Sequence, residues 1–157
     1  MAYIKNIVIE NARIIFRNFS GKTSKFNPTG KRSFALILTD SEAERLKEEG
    51  WNIKSLRPRE PGDDPTPYIN VNVRYSKENP ERNPEVYIVA GKKKTLLSDE
   101  TIGSIDYCDI LNVDLVVGPY RWSMNGNEGV TAYLKKMYVT IDNDFNGKYD
   151  DYDEYEN

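Results

Sequence analysis

Hydrophobic positions along this chain alternate far more often than they recur every three or four residues, so the elements they predict are mostly strands. In residues 3–16, Ile7 and Ile9 hold one phase while Ala12, Ile14 and Phe16 hold the other. The change of phase predicts one long strand with a bulge or bend near Asn11. Residues 17–31 are polar and carry Gly21, Pro28 and Gly30, and residues 32–38 return as a strand. Together they predict a long hairpin. Ser41 and Glu44 have capping-box spacing, and Gly50 is placed to end the helix they start, with Ala43 and Leu46 inward. Pro58, Pro61, Gly62, Pro65 and Pro67 predict a loop over residues 57–67. Residues 68–75 then alternate cleanly. Ile69, Val71 and Val73 belong to the core, and Tyr68, Asn70, Asn72 and Arg74 form a polar sheet face able to meet a ligand.

The second half continues the strand rhythm. A turn-rich stretch at 76–84 leads into a strand at 86–90, Gly91-Lys92-Lys93-Lys94 reads as a basic turn, and 98–104 as a short helix or turn. A strand at 110–117 is expected to break at Gly118-Pro119, before Tyr120-Arg121-Trp122-Ser123-Met124. Asn125-Gly126 is a tight-turn signal that pairs this segment with residues 129–141. There Ala132 and Leu134 fall out of phase with Met137, Val139 and Ile141, which predicts a bulge near Lys135-Lys136. The pattern gives six to eight strands, one short helix and no βαβ rhythm. The fold class is therefore all-β and mainly antiparallel, a barrel or sandwich over residues 1–141. Residues 150–157 lack the apolar content to pack, so 142–157 reads as a disordered acidic tail.

Composition narrows the chemistry. Histidine is absent, which removes the commonest general base and metal ligand. The single cysteine, Cys108, can form neither an internal disulfide nor a thiolate cage. No apolar run approaches a membrane span or signal-peptide core, so a cytoplasmic protein with no membrane partner is expected. The net charge of −3 hides a split. Residues 142–157 hold seven carboxylates and Lys148, a net of −6, whereas the rest carries 21 basic and 18 acidic residues, a net of +3. A positive domain is joined to a negative end.

Three constellations could carry function. In Phe19-Ser20-Gly21-Lys22-Thr23-Ser24-Lys25-Phe26, with Lys31 and Arg32 beyond, two rings stand among several cations. Single strands are gripped in this way, by cations that track phosphates and rings on which bases stack. The plainer alternative is a solvated hairpin in which Phe19 and Phe26 pack on each other. Gly21-Lys22-Thr23 lacks the earlier glycine and following helix of a phosphate-binding loop. The second constellation is Tyr120-Arg121-Trp122 with Tyr133 and Lys135 across the predicted hairpin, either a stacking platform or hairpin core. Arg74 and Tyr75, and Lys92, Lys93 and Lys94, are further candidates. The third is Asp142-Asn143-Asp144-Phe145-Asn146-Gly147 with Asp153, which has much of a calcium-loop spacing. A strand precedes it where a helix should, so a plain acidic tail is the better reading. Such a tail mimics a nucleic-acid backbone and can occupy the basic groove of its own domain until DNA displaces it. Asp106, Asp109 and Asp114 could be imagined holding Mg²⁺ in a nuclease, but no lysine or histidine accompanies them in a recognisable pattern. No catalytic residue, metal ligand or cofactor is assigned.

Phe19, then Lys25-Phe26-Asn27-Pro28-Thr29-Gly30-Lys31-Arg32-Ser33-Phe34, the short helix and Gly50-Trp51-Asn52-Ile53-Lys54 together resemble the single-stranded-DNA-binding proteins of tailed bacteriophages. So do Val113-Asp114-Leu115, Gly118-Pro119-Tyr120-Arg121-Trp122 and the later Ala132-Tyr133-Leu134-Lys135. The resemblance spans roughly residues 3–141. It implies an OB-like Greek-key barrel, replication or recombination as the setting, and a tail that contacts partner proteins there; it allows a homodimer. The closing Glu154-Tyr155-Glu156-Asn157 departs from the terminal phenylalanine common in related tails. The expected function is coating and protection of single-stranded DNA in the host cytoplasm. The rival readings are a structural or interaction β-domain and, third, a Mg-dependent nuclease.

Overall fold

The computed structural model describes residues 4–58 and 60–142. Apart from Asp142, the expected tail and the calcium-loop spacing lie outside the described residues.

The alternating N-terminal segment forms two short strands, β1 (Ile7–Ile9) and β2 (Ile14–Asn18), with Asn11 at φ +52° between them. The change of phase is thus a corner rather than a bulge. Strand β3 (Arg32–Ile37) pairs antiparallel with β2, as the hairpin pattern predicts. Helix α1 (Asp40–Glu49) follows and buries Ala43 and Leu46. Its capping box is Thr39 with Glu42, two residues earlier than the expected Ser41 and Glu44. Thr39 has the same spacing and the extended backbone that lets its hydroxyl reach the Glu42 N–H. Gly50 ends the helix at φ +99°.

The proline-rich loop is shorter than expected. Strand β4 (Ile53–Leu56), which the sequence pattern did not reveal, pairs with β5 (Thr66–Val73), so Thr66 and Pro67 already belong to the sheet. Pro67 is tolerated near the strand start, where its carbonyl still accepts from the Leu38 N–H at 3.0 Å. Strand β6 (Glu85–Ala90) and β7 (Lys93–Leu97) form a hairpin, so Lys93 and Lys94 are strand residues rather than turn residues.

Two 15-residue strands, β8 (Ile110–Met124) and β9 (Asn127–Ile141), dominate the sheet and meet at the Asn125-Gly126 turn, where both φ values are positive. The expected break at Gly118-Pro119 does not occur. Strand β1 pairs with β8 only as far as Val117, so Pro119 sits where β8 has become an edge on that side. A missing N–H costs no ladder bond there. The predicted bulge is present: Val116 faces Lys136 and Val117 faces Leu134, which leaves Lys135 as the extra residue.

Nine strands form one sheet among the described residues, in the order β1, β8, β9, β5, β3, β2, with β4 on β5 and the β6–β7 hairpin on β9. Most pairs are antiparallel, but β5 and β6 both run parallel to β9. The path returns on itself. Its two ends, β1 on β8 and β2 on β3, are halves of one bent segment, tied at the corner by Ala12 N–H donating to the Val113 carbonyl. Closure through a bent first strand gives the OB-like barrel. Inside lie Phe34, Leu36, Ile69, Val71, Val73, Val113, Leu115, Val117, Leu134, Met137 and Val139, all buried. No described helix is long and apolar enough to cross a membrane.

Candidate nucleic-acid interface

Strand β9 keeps β8 along one edge for its whole length, but its other edge changes partner. It runs beside β5 at Ala132 and Tyr133 and beside β6 from Lys136 to Thr140. The Lys135 bulge sits at that fork. Asn72 reinforces the β5 junction by donating its side-chain N–H to the Ala132 carbonyl at 3.2 Å. A cleft of about 660 Å³ opens at the fork, lined by Arg74 from the end of β5, Arg82 and Asn83 from the 76–84 segment, and Tyr120, Tyr133 and Lys135 from β8 and β9.

The cleft brings together four of the expected site residues: Arg74, Tyr120, Tyr133 and Lys135. Tyr120 is 60% exposed and meets Tyr133 edge to face, with centroids 6.2 Å apart and planes at 89°. Gly118 lies beneath the Lys135 side chain, where a Cβ would come within 2.2 Å of Lys135 Cε. Bulge and glycine together lay this lysine flat against β8. Trp122 lies two residues beyond Tyr120 on the same face. It faces Gly129 across the ladder, and a Cβ there would come within 2.7 Å of the indole. Tyr120 and Trp122 are therefore surface rings seated on the hairpin arm, not its core. Arg121 is an exposed residue of that arm, facing Val130.

The other candidates occupy the 19–31 loop and its flanks. Phe19 leaves the set. It is fully buried and stacks on Phe34 at 5.2 Å, because a register shift in β2 between Ile15 and Asn18, with Phe16 at φ +53°, breaks the alternation and turns it into the barrel. Nor does it pack on Phe26, which is 93% exposed. Phe26 and Lys25 form the tip of a two-residue turn closed by paired backbone hydrogen bonds between Ser24 and Asn27. The Asn27 side chain fastens the loop by donating to the Lys22 and Lys31 carbonyls and accepting from the Lys31 N–H. Asp106 fixes the loop's root, accepting from Phe19 N–H, Ser20 N–H and the Ser20 hydroxyl at 2.7–3.1 Å. Lys22 places its ammonium 4.8 Å from the exposed Tyr107 ring, and Lys31 is exposed. Arg32 is partly committed, donating to the Asp99 carbonyl and lying over Tyr75 at 5.4 Å. It also faces Val73 in the ladder, one residue from Arg74, so the loop and the cleft meet at one end of the sheet.

Asp106 thus serves the loop. Asp114 accepts from the Asn11 N–H and from Asn112. No group of three His, Cys, Asp or Glu side chains placed to hold a metal ion occurs among the described residues. Sequence reasoning missed Arg82, Asn83 and Tyr107. Arg82 and Asn83 lie in a stretch that read as turn-rich and Tyr107 just beyond one that read as a short helix or turn, and nothing local says which side of the barrel such a stretch covers.

The family model described as a putative phage ssDNA-binding domain matches residues 1–157. The chain belongs to that family. Three solved structures of the single-stranded DNA-binding protein from bacteriophage Enc34 share its fold. The protein itself matches at TM-score 0.51 and 14% identity, covering 85% of this chain and 79% of that one. Its C-terminal truncation matches at 0.50 and 15%, with 87% and 86% covered. Its complex with ssDNA matches at 0.52 and 15%, with the same coverage. No curated protein sequence matches the chain.

Tyr75, against which Arg32 rests, has a buried hydroxyl with no hydrogen-bond partner. Burial pushes it up to about 12, and the nearby Arg32 charge opposes this only in part. The folded state disfavours the tyrosinate, so ionisation of Tyr75 leaves stability untouched below the ordinary value near 10 and lowers it as pH rises from there towards 12. In an ultraviolet titration, Tyr75→Phe should delete a tyrosinate step near pH 12. It should also hold or raise the unfolding midpoint at neutral pH, since it removes an unpaired buried group.

Proposed function

We propose that the chain coats single-stranded DNA with little sequence preference. The observation that carries this is the cleft at the fork of β9, where Arg74, Arg82 and Lys135 converge on the exposed rings of Tyr120 and Tyr133. Cations spaced along a sheet face hold phosphates without reading sequence, and rings stack on any base. Trp122 extends the platform along the hairpin arm. Lys22, Lys25, Phe26 and Lys31 add a second contact from the wired loop, and Arg32 and Arg121 add charge beside each. Family membership and the solved ssDNA complex of the Enc34 protein support the same ligand.

The finer reading concerns charge and setting. The net −6 of residues 142–157 competes with DNA for the net +3 of the remaining chain, and DNA binding frees it to meet basic surfaces of replication or recombination proteins in the host cytoplasm. The test is fluorescence anisotropy of a labelled oligo-dT against salt, with the full chain and with a chain ending at Ile141. Binding should weaken linearly in log–log form, with a slope of about −0.7 per phosphate neutralised. The shorter chain should bind more tightly. Absence of any binding at low salt by the shorter chain would sink the proposal.

A further inference from the structure

Beyond the cleft, β9 carries a second group of rings and cations. Leu96, Tyr87 and Tyr138 stand directly opposite one another across β7, β6 and β9. Alternation turns all three outward, since their neighbours Leu97, Val86, Met137 and Val139 are buried. The tyrosine rings stack at 5.1 Å with planes 12° apart. Lys94 Nζ lies 4.7 Å from the Tyr87 ring and 5.6 Å from the Tyr138 ring, and Lys136 Nζ lies 5.5 Å from the latter. Leu96 is left 60% exposed beside them.

This row is continuous with the cleft. Glu85 and Lys135 line the cleft. Lys136 is the next residue on β9 and reaches Glu85 at 3.9 Å, so the row begins where the cleft ends. Tyr133 and Tyr138 are separated by roughly 15 Å of strand. The neighbouring turn adds Lys92 and the start of β7 adds Lys93, which gives this end of the sheet a cationic excess. Cross-strand tyrosines alone could serve the sheet. Sheet packing does not call for an exposed leucine in the same row, nor for two ammonium groups resting on ring faces, where exposed cation–π contact is weak and a phosphate is the stronger partner.

We infer that a single strand leaving the cleft continues onto this row, where a base stacks against the Tyr87–Tyr138 pair and Lys94 and Lys136 turn from the rings to the flanking phosphates. The inference rests on the single-stranded-DNA reading of the cleft and extends its path along β9. It also makes the bound length larger than the cleft and loop alone would give.

Titrations with two oligo-dT lengths, about 5 and about 15 nucleotides, bracket the range of one such barrel. They are to be run on the full chain, on Tyr87→Ala and on Lys94→Glu. Lys94 is exposed, so its variant keeps the test intact if Tyr87→Ala disturbs the sheet. Each variant should lose roughly tenfold in affinity for the long oligonucleotide and less than about twofold for the short one, with a smaller occluded length. Equal losses on both lengths, or none on the long one, would overturn the subsite while the cleft reading stands. Failure of the unmodified chain to bind either length would remove the cleft reading, and the subsite with it.

Discussion

Phe19→Ala should lower the stability of the protein by about 3–5 kcal/mol, the usual range for emptying a buried phenylalanine site. Phe26→Ala should leave stability within about 0.5 kcal/mol of the unmodified chain. The two rings are seven residues apart in one loop region and differ in almost every physical respect. Phe19 has no exposed surface and stacks on Phe34 inside the barrel, so its loss leaves a cavity against a ladder that cannot close over it. Phe26 touches little of the protein but is held out at the tip of a turn locked by Asn27. Exposed there, the ring is free to stack on a base, which is the role proposed for it. For binding the order reverses. Phe26→Ala should weaken oligo-dT binding by about 1–3 kcal/mol, one stacked base. Chemical denaturation and anisotropy on both variants check this crossed pattern; a Phe26 variant that binds normally would remove this ring from the interface.

That contrast also shows how far the sequence could be read. The 19–26 segment announces its chemistry, with cations and rings between two strands, but not which ring turns inward. That depends on where β2 ends and on the pairing of β3, both set by partners distant in the chain. The corner near Asn11, the Asn125-Gly126 turn and the Lys135 bulge were all legible, because each is a local break in a period of two. Gly118-Pro119 misled for the same reason. Locally it reads as a stop, and only the end of β1 at Val117 makes proline harmless there. Strands β4 and β7 were invisible to alternation because β4 is only four residues long and β7 is mostly exposed, so each is defined by its neighbour, β5 or β6. The cleft joins Arg74 to Lys135, which lie about sixty residues apart. Their residue types were readable and their convergence was not, because it follows from β5 and β6 sharing one edge of β9.

Removing the two cleft rings together, as Tyr120→Ala with Tyr133→Ala, should cost roughly 30-fold or more in oligo-dT affinity, if each ring carries at least about 1 kcal/mol of stacking. The loss should come with little change in salt dependence, because no phosphate contact is removed. Arg74→Gln with Lys135→Gln should show the opposite signature. Two cations leave the cleft, so the log–log salt slope should become shallower by about 1.4, at 0.7 per phosphate on a single strand. Both Tyr120 and Lys135 are exposed and Tyr133 is half-buried, so neither double variant opens the core formed by Leu134, Met137 and Val117. Tyr120 and Tyr133 touch edge to face, so their single variants need not add up to the double, and the double is the cleaner measurement. If both pairs changed affinity and slope alike, rings and cations would not be doing separate work at one site. The cleft would then act only as a charged surface, and the stacking role would fall to Trp122 and Phe26.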